Sequence, residues 1–530
     1  MKEFAQLFAA LDQTMKTSEK VSAMVDYFSR ADAADAAWAV YFLSGRKPRQ
    51  IVKTRLLREW ARECAAVPDW LFVECYEAVG DLAETISLLL PPPECSDDRP
   101  LSACVSQLQS LATMPEPDQK KAVLSAWNRL NASERFLWNK LIMGGLRVGV
   151  SQSLVIRALA KVSGVPPTII AHRLMGNWLP TPEFYTTLIA SELRERTPSQ
   201  PYPFFLAYPL EDPLEQLGQP ADWQAEWKWD GIRAQIVRRA SDCFIWSRGE
   251  ELVTERYPEV AAAARRLPEG TVLDGELLPW KNGQVRPFAE LQKRIGRKLL
   301  TKKFLAEIPV VFLAYDLLEH AESDCRCQPL CQRRTLLETL IQTINEPHLL
   351  LSELIAFTTW QELTMIRQQS RQRSVEGLML KRRDSPYRVG RVRGDWWKWK
   401  IEPWTIDAVL TAAQRGHGKR ASLYTDYTFS VWDQGRLVTI AKAYSGLSDA
   451  EIREVDAFIR ANTLEKFGPV RTVKPELVFE LGFEGIQPST RHKSGIAVRF
   501  PRILRPRFDK SWKDADSLDT LKRFLNQVSS

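Results

Sequence analysis

The sequence predicts a multidomain chain in three parts: an all-α N-terminal region, a central α+β region and a strand-rich C-terminal region that closes as a small β-barrel. Three observations carry that expectation. At 530 residues the chain is too long for one hydrophobic core, since cores split into domains of roughly 150 residues. Over roughly the first 195 residues, apolar side chains recur at helical spacing between short polar breaks. Past a proline-rich stretch (Pro198, Pro201, Pro203, Pro209, Pro213 and Pro220), short runs rich in β-branched and aromatic residues take over. Proline stops helices and cannot donate to a ladder, so this stretch reads as a connector. The expected limits are residues 1–200, 201–401 and 402–530.

The elements follow in order. Phe4, Leu7, Phe8 and Leu11 fall on one face of an N-terminal amphipathic helix. That segment carries acids and lacks a long apolar core, which argues against a signal peptide. Residues 21–28, 56–64, 70–90 and 153–162 read as further helices. In the central region, residues 234–237, 244–246, 271–278 and 310–317 read as strands, with helices over 258–267 and 335–343 between them. Beyond Glu402, residues 406–412, 427–432, 437–443 and 477–483 read as strands interrupted by one helix over 449–461. Several strands with one inserted helix fit an OB-fold.

Hydrophobic residues make up 45% and charged residues 26%, an ordinary globular composition. No apolar run approaches the ~20 residues needed to span a bilayer, so no membrane partner is expected. The formal net charge of +8 suits a polyanionic partner. Eight cysteines without a secretory signal are expected to be reduced thiols in a cytoplasmic protein. Cys325, Cys327 and Cys331 cluster, with His320 nearby, but no fourth ligand stands at a zinc-like spacing. They read as incidental thiols in a loop.

The most informative stretch is Glu226-Trp227-Lys228-Trp229-Asp230-Gly231-Ile232-Arg233. A lysine held between strand-like runs becomes a nucleophile once cations or partial burial ease the loss of its proton. Strand alternation places Glu226 on the face of Lys228, where it can accept from an adenine amino group while Lys228 meets phosphates. Arg233 supplies a fixed cation for a sugar or phosphate oxygen. Four constellations follow. Ser247-Arg248-Gly249-Glu250 places an arginine at a turn. Leu273-Asp274-Gly275-Glu276-Leu277 places a carboxylate just after a tight turn. Phe312-Leu313-Ala314-Tyr315-Asp316-Leu317-Leu318 offers a ring in a buried strand. Val375-Glu376-Gly377-Leu378-Met379-Leu380-Lys381 pairs a carboxylate with a lysine. Last, Trp396-Trp397-Lys398-Trp399-Lys400 alternates so that both ammonium groups leave one face of a strand.

Singly these are weak signals; six in this order between residues 226 and 400 are not. On them the chain resembles the covalent nucleotidyltransferases, the superfamily of ATP-dependent polynucleotide ligases and mRNA capping enzymes. The resemblance implies an adenylation (nucleotidyltransferase) domain in which Lys228 attacks the α-phosphorus of ATP and becomes Lys-AMP. It implies that Arg233 and Arg248 bind AMP ribose or phosphate, that Tyr315 stacks on adenine, and that Glu276 and Glu376 serve a divalent metal (Mg²⁺ or Mn²⁺) and the ribose. Lys381, Lys398 and Lys400 would contact the phosphates. Where relatives often carry an arginine six residues before the first lysine of the Trp-Lys motif, this chain has Val392; the flanking Arg391 or Arg393 is expected to substitute.

The resemblance extends to the ends. Leu146-Arg147-Val148-Gly149-Val150-Ser151 is similar to a motif in the helical DNA-binding domain of larger DNA ligases, which capping enzymes lack. Arg147 can meet a DNA phosphate and Gly149 allows close backbone approach. The run Arg499-Phe500-Pro501-Arg502-Ile503-Leu504-Arg505-Pro506-Arg507-Phe508-Asp509-Lys510 looks like the last ligase motif, which belongs to the OB-fold and orients the pyrophosphate leaving group. Arg505, Arg507, Asp509 and Lys510 are its candidates. The whole pattern is most like stand-alone bacterial ATP-dependent DNA ligases. That implies a monomer acting on nicked double-stranded DNA in the cytoplasm, associated with the nucleoid in a bacterium.

Overall fold

The structure is a computed structural model that describes every residue except 15, 47–49, 94–97, 147, 192–197, 296, 298–299, 417–419, 421, 468–469 and 530, and the side chains of 528 and 529. The chain separates into two compact units. One comprises Met1–Ile170, Leu179–Glu192 and Trp404–Arg523; the other comprises Ala171–Trp178, Leu193–Pro403 and Phe524–Ser530.

The N-terminal part of the first unit is helical, with twelve helices between Lys2 and Ile189 among the described residues. The helix Lys2–Gln13 buries Phe4, Leu7, Phe8 and Leu11 on one face, as the periodicity predicts. Each such side chain contributes ~1.5–3 kcal/mol on leaving water. The stretch expected as one helix over 70–90 is two, Asp69–Val79 and Leu82–Leu89. Gly80 closes the first in the left-handed region, and the Asp81 carboxylate accepts from the N–H groups of Ala83 and Glu84 to cap the second.

The C-terminal part of the same unit is strand-rich. Its long strand Trp404–Arg415 pairs antiparallel with Tyr424–Asp433 along one side. Its other side is shared between Val478–Phe483 and Val470–Val473. Arg436–Ala443, Thr463–Phe467 and Arg502–Pro506 extend the seven-stranded sheet. The inserted helix is Asp449–Ala461, opened by a Ser448/Glu451 capping box.

The second unit is α+β, with two large sheets and a two-stranded pair, Phe205–Leu206 with Gly390–Arg391. In the first, the order is Leu349–Leu351, Val310–His320, Thr271–Lys281, Ile232–Arg239 and Asp242–Ser247. In the second, it is Leu354–Ile355, Trp223–Trp227, Gly377–Arg382, Trp396–Lys400 and Tyr208–Pro209. Period-two alternation gives each sheet an outer face and a site face. The outer face of the first sheet carries Ala234, Ile236, Leu273 and Phe312 into a core with Val260 and Leu337 of the helices Pro258–Ala264 and Leu330–Ile344. The outer face of the second carries Trp223, Ala225, Trp227, Leu378, Leu380 and Trp397 onto Trp360 and Leu363 of the helix Trp360–Gln368. The polar residues between them are thereby turned to the other side.

The proline-rich stretch is packed: Tyr202, Phe204 and Phe205 within it are buried, and the Trp246 indole donates to the Ser199 carbonyl at 2.6 Å. One expectation is corrected. Asp274-Gly275-Glu276 does not follow a tight turn; it lies inside the continuous strand Thr271–Lys281.

Candidate active site

Lys228 stands where the chain crosses between sheets, since the preceding strand Trp223–Trp227 belongs to the second and Ile232–Arg239 to the first. Gly231 completes the crossing. A Cβ there would lie 2.4 Å from the Leu277 carbonyl oxygen, so no larger residue fits this approach. Although the strand ends at Trp227, Lys228 keeps a ladder partner. Its N–H donates to the Gly377 carbonyl at 2.8 Å, and its carbonyl accepts from the Glu376 N–H at 2.8 Å. Those bonds hold the two residues side by side, 148 positions apart in sequence. Gly377, at φ +133°, allows the bend, and a Cβ there would meet the Trp399 carbonyl oxygen at 2.3 Å.

The mouth of the site is a shared carboxylate. The Lys228 ammonium donates to Glu376 Oε2, and the Lys400 ammonium lies 3.2 Å from the same oxygen. Burial alone would raise the Glu376 carboxyl, but the two lysines outweigh it and hold it below the ordinary range. Glu276, half-buried on the neighbouring sheet, goes the other way. Burial pushes it up to about 8, against the pull of Lys228 and Arg233. Two carboxylates near one lysine thus differ in charge at neutral pH.

The floor is drier. Glu226 accepts from Lys381 Nζ at 2.8 Å and from Gln224 Nε2 at 3.2 Å, and the Glu226 and Lys381 side chains are both about 2% exposed. The Lys381 ammonium lies 4.3 Å from the Tyr315 ring centre and 4.8 Å from that of Trp396. Tyr315 sits at a β-bulge, since Asp274 faces Asp316 while Gly275 faces Ala314, leaving Tyr315 without an opposite number. Such an extra residue re-aims a side chain. Burial drives the Tyr315 phenol well above its usual range, so it is a neutral ring. Arg233 donates Nε to Asp274 Oδ1 at 3.2 Å and Nη2 to Oδ2 at 2.7 Å, and its guanidinium lies 5.2 Å from the Phe204 ring centre and 5.8 Å from that of Tyr315. The Tyr387 hydroxyl donates to Asp274 Oδ2 at 2.6 Å.

The structure therefore brings together Glu226, Lys228, Arg233, Glu276, Tyr315, Glu376, Lys381 and Lys400. Lys381 groups with Glu226 on the floor, away from the Lys228–Glu376–Lys400 mouth. Lys398 is on the same strand face as Lys400, opposite Met379. Arg248 is exposed at the turn after Asp242–Ser247, its N–H donating to the Arg233 carbonyl at 2.8 Å. The Arg391 guanidinium is 5.6 Å from the Tyr208 ring centre, Arg393 pairs with Asp212 at 3.0 Å, and Val392 packs against a core with Phe205 and Trp396. Cys325, Cys327 and Cys331 are free thiols, and no group of three or more potential metal ligands gathers among the described residues.

In the other unit, Arg147 lies outside the described residues. Gly149 adopts φ +61°, and Lys20 of the helix Thr17–Phe28 clamps the turn by donating to the Val148 carbonyl at 3.1 Å and the Gly149 carbonyl at 2.9 Å. Arg505 pairs with Glu480 at 2.6 Å, Arg507 with Asp509 at 2.7 Å and Asp407 at 2.8 Å, and Lys510 with Asp407 at 2.6 Å. Sequence reasoning gave no role to Asp274, Tyr387, Phe204, Trp396, Gln224 or Asp407. The one available signal was a charged residue inside an apolar strand, at Asp274 and Asp407.

Comparison with known proteins agrees with this architecture. Three family models match: DNA ligase N terminus over residues 1–160, ATP dependent DNA ligase domain over 205–400, and ATP dependent DNA ligase C terminal region over 420–510. The chain is 33% identical to a "Probable DNA ligase" of Koribacter versatilis, covering 98% of this chain and 95% of that protein. It is 28% identical to "DNA ligase 1" of Korarchaeum cryptofilum, covering 99% and 98%. Among solved structures, Pmar-Lig_PreS3 shares the fold with a TM-score of 0.64 at 15% identity, covering 95% of this chain and 99% of that one. The chain belongs to the ATP-dependent DNA ligase family.

Proposed function

We propose that the protein seals nicks between a 3′-hydroxyl and a 5′-phosphate in duplex DNA, through AMP carried on Lys228 and then on the DNA. The carrying observation is the mouth: a lysine held against a carboxylate that a second lysine shares, above a floor built of paired ions and rings. Lys228 Nζ, once deprotonated, forms a P–N bond to the α-phosphorus of ATP as the bond to pyrophosphate breaks. The 5′-phosphate of the nick takes the AMP and frees the lysine. The 3′-hydroxyl then attacks that phosphate, expelling AMP and closing the backbone. Charge neutralisation and in-line placement do most of the work in such transfers.

Glu226 is assigned to the adenine amino group, with Lys381 as its ion-pair partner. Tyr315 supplies the stacking ring, Arg233 and Arg248 the ribose or phosphate contacts, and Lys398 and Lys400 further phosphate contacts. Arg391 is retained as the neighbouring arginine. Glu276 and Glu376 offer hard oxygen donors suited to Mg²⁺ or Mn²⁺, which keep much of their shell as water and phosphate oxygen. The metal supplies charge neutralisation at the phosphates. The domain reading is a helical DNA-binding domain over 1–200 with Arg147 and Gly149 at a phosphate contact, an adenylation domain over 201–401, and an OB-fold over 402–530. In that last domain Arg505, Arg507, Asp509 and Lys510 orient the pyrophosphate. The protein acts as a monomer in the cytoplasm.

Mass spectrometry of the protein after ATP and Mg²⁺ tests the reading, with GTP as the control. AMP is expected on Lys228, and Lys228→Ala is expected to abolish both the adduct and sealing. An adduct elsewhere, or one retained in Lys228→Ala, would sink it.

A further inference from the structure

Within the unit that contains the C-terminal strands, the cations of the final basic motif are not equivalent. The run Arg507–Lys510 forms a turn, with the Lys510 N–H donating to the Arg507 carbonyl at 3.1 Å. The turn is anchored by the Arg507 N–H on the Val478 carbonyl at 2.8 Å. Every guanidinium nitrogen of Arg507 is committed: Nη1 to Asp407 at 2.8 Å, and Nε and Nη2 to Asp509 at 2.9 and 2.7 Å. Lys510 places one N–H on Asp407 at 2.6 Å, its side chain is 32% exposed, and an ammonium has three donors.

Both cations converge on one oxygen, Asp407 Oδ2, of a carboxylate buried in the strand Trp404–Arg415 between Ile406 and Ala408. Burying a charge at such a place is costly without a paired counter-charge. The strand position is itself fixed, since the Asp407 N–H donates to Asp516 Oδ2 at 2.8 Å and the Asp516 N–H to the Asp407 carbonyl at 2.9 Å. One buried group therefore sets where the turn lies and where Lys510 points.

We propose that Asp407 is a positioning residue for the ATP-dependent step: it holds Arg507 as a structural keystone and aims Lys510 at the departing phosphates. This rests on the reading of the motif under Proposed function. Arg507 is the more tightly held of the two, with three of its five N–H on two carboxylates and a side chain 15% exposed, whereas Lys510 has one such bond and is the more open to phosphates.

The test separates two rates on the full-length protein: self-adenylation from ATP and Mg²⁺, and sealing without ATP of a nicked duplex already carrying AMP on its 5′-phosphate. Asp407→Asn is expected to lower kcat/KM for ATP by ~10-fold or more while leaving pre-adenylated sealing within ~3-fold. Asp407→Glu should restore part of the loss. Lys510→Met, at a part-exposed site, should reproduce the adenylation-selective loss, and the double variant should be no worse than the poorer single one. Should Asp407→Asn not fold, Arg507→Lys, which keeps the charge but loses the fork, should give the same selective loss. Equal losses in both rates, or adenylation within ~2-fold of wild type in Lys510→Met, would overturn the proposal. A wild-type protein that forms no adduct would instead sink the underlying reading.

Discussion

The floor of the candidate active site and the C-terminal basic turn both fix cations with carboxylates buried in strands, yet they are built differently. On the floor each cation has its own acid. Arg233 and Asp274 come from adjacent strands whose register pairs Gln235 with Asp274, and Lys381 and Glu226 come from another adjacent pair. Tyr387, Gln224 and the surrounding rings add further contacts. At the turn, Arg507 and Lys510 share the one carboxylate of Asp407, and Asp509 is a second partner for Arg507 only. The first arrangement makes a rigid, dry surface whose loss is a loss of structure. The second sets the direction of a part-exposed cation, and its loss is a loss of one step.

Removing Asp274 gives the largest contrast. Its side chain is fully buried, and Asp274→Ala leaves the Arg233 guanidinium without its partner. Breaking a buried pair from one side costs ~3–5 kcal/mol. A marked drop in the unfolding midpoint of the central unit is expected, with adenylation lost alongside. Asp407→Asn, by contrast, should leave most of the stability in place. If chemical denaturation showed Asp274→Ala to be the milder of the two, the distinction drawn between the regions would be wrong.

Glu276 sharpens the comparison within the site. Its folded value of about 8 lies above the 4.5 of an ordinary glutamate. Between those values the folded protein holds a proton that the unfolded chain has released, so stability falls as pH rises from about 4.5 to 8. The group is half-buried, which reduces the effect to ~1–3 kcal/mol over that window. Glu276→Gln should flatten the decline, measured as denaturation midpoints at several pH values in the absence of nucleotide and metal. Identical slopes for variant and wild type would remove Glu276 as the cause. Glu376, held low by two lysines, should add no such slope in this direction.

The parts of this molecule that were legible in the sequence are those decided locally. Alternation put Lys398 and Lys400 on one strand face, and the Ser448/Glu451 capping box marks the start of the helix at Asp449. The crossing at Lys228 was legible as chemistry but not as geometry. Its partner Glu376 is brought alongside by ladder bonds that no local pattern announces. The same holds for the pairing of Lys381 with Glu226, which joins neighbouring strands 155 positions apart in sequence. Asp274-Gly275-Glu276 looked like a turn because Asp-Gly usually is one. It is a strand because the Phe312 ring packs where a Cβ on Gly275 would stand, a contact between strands far apart in sequence. The division of 70–90 into two helices was readable in Gly80-Asp81, a C-cap glycine followed by an N-cap acid.

The smallest predicted effect concerns Tyr387, whose hydroxyl donates to Asp274 Oδ2 and accepts from the Phe205 N–H at 3.2 Å. Tyr387→Phe keeps the ring, which packs edge-on to Phe205 and Trp396, and removes only the oxygen. Asp274 retains both bonds from Arg233, so its charge stays compensated; Asp274 Oδ2 loses one of its donors, Arg233 Nη2 a 3.4 Å contact, and the Phe205 N–H its acceptor. One buried donor left unsatisfied costs ~1–3 kcal/mol, a fraction of the loss expected for Asp274→Ala. Adenylation should persist with KM for ATP raised more than kcat is lowered, because the variant loosens Arg233 without touching Lys228. A collapse of kcat with KM unchanged would mean that the hydroxyl acts at the reacting phosphate rather than through the arginine it helps to hold.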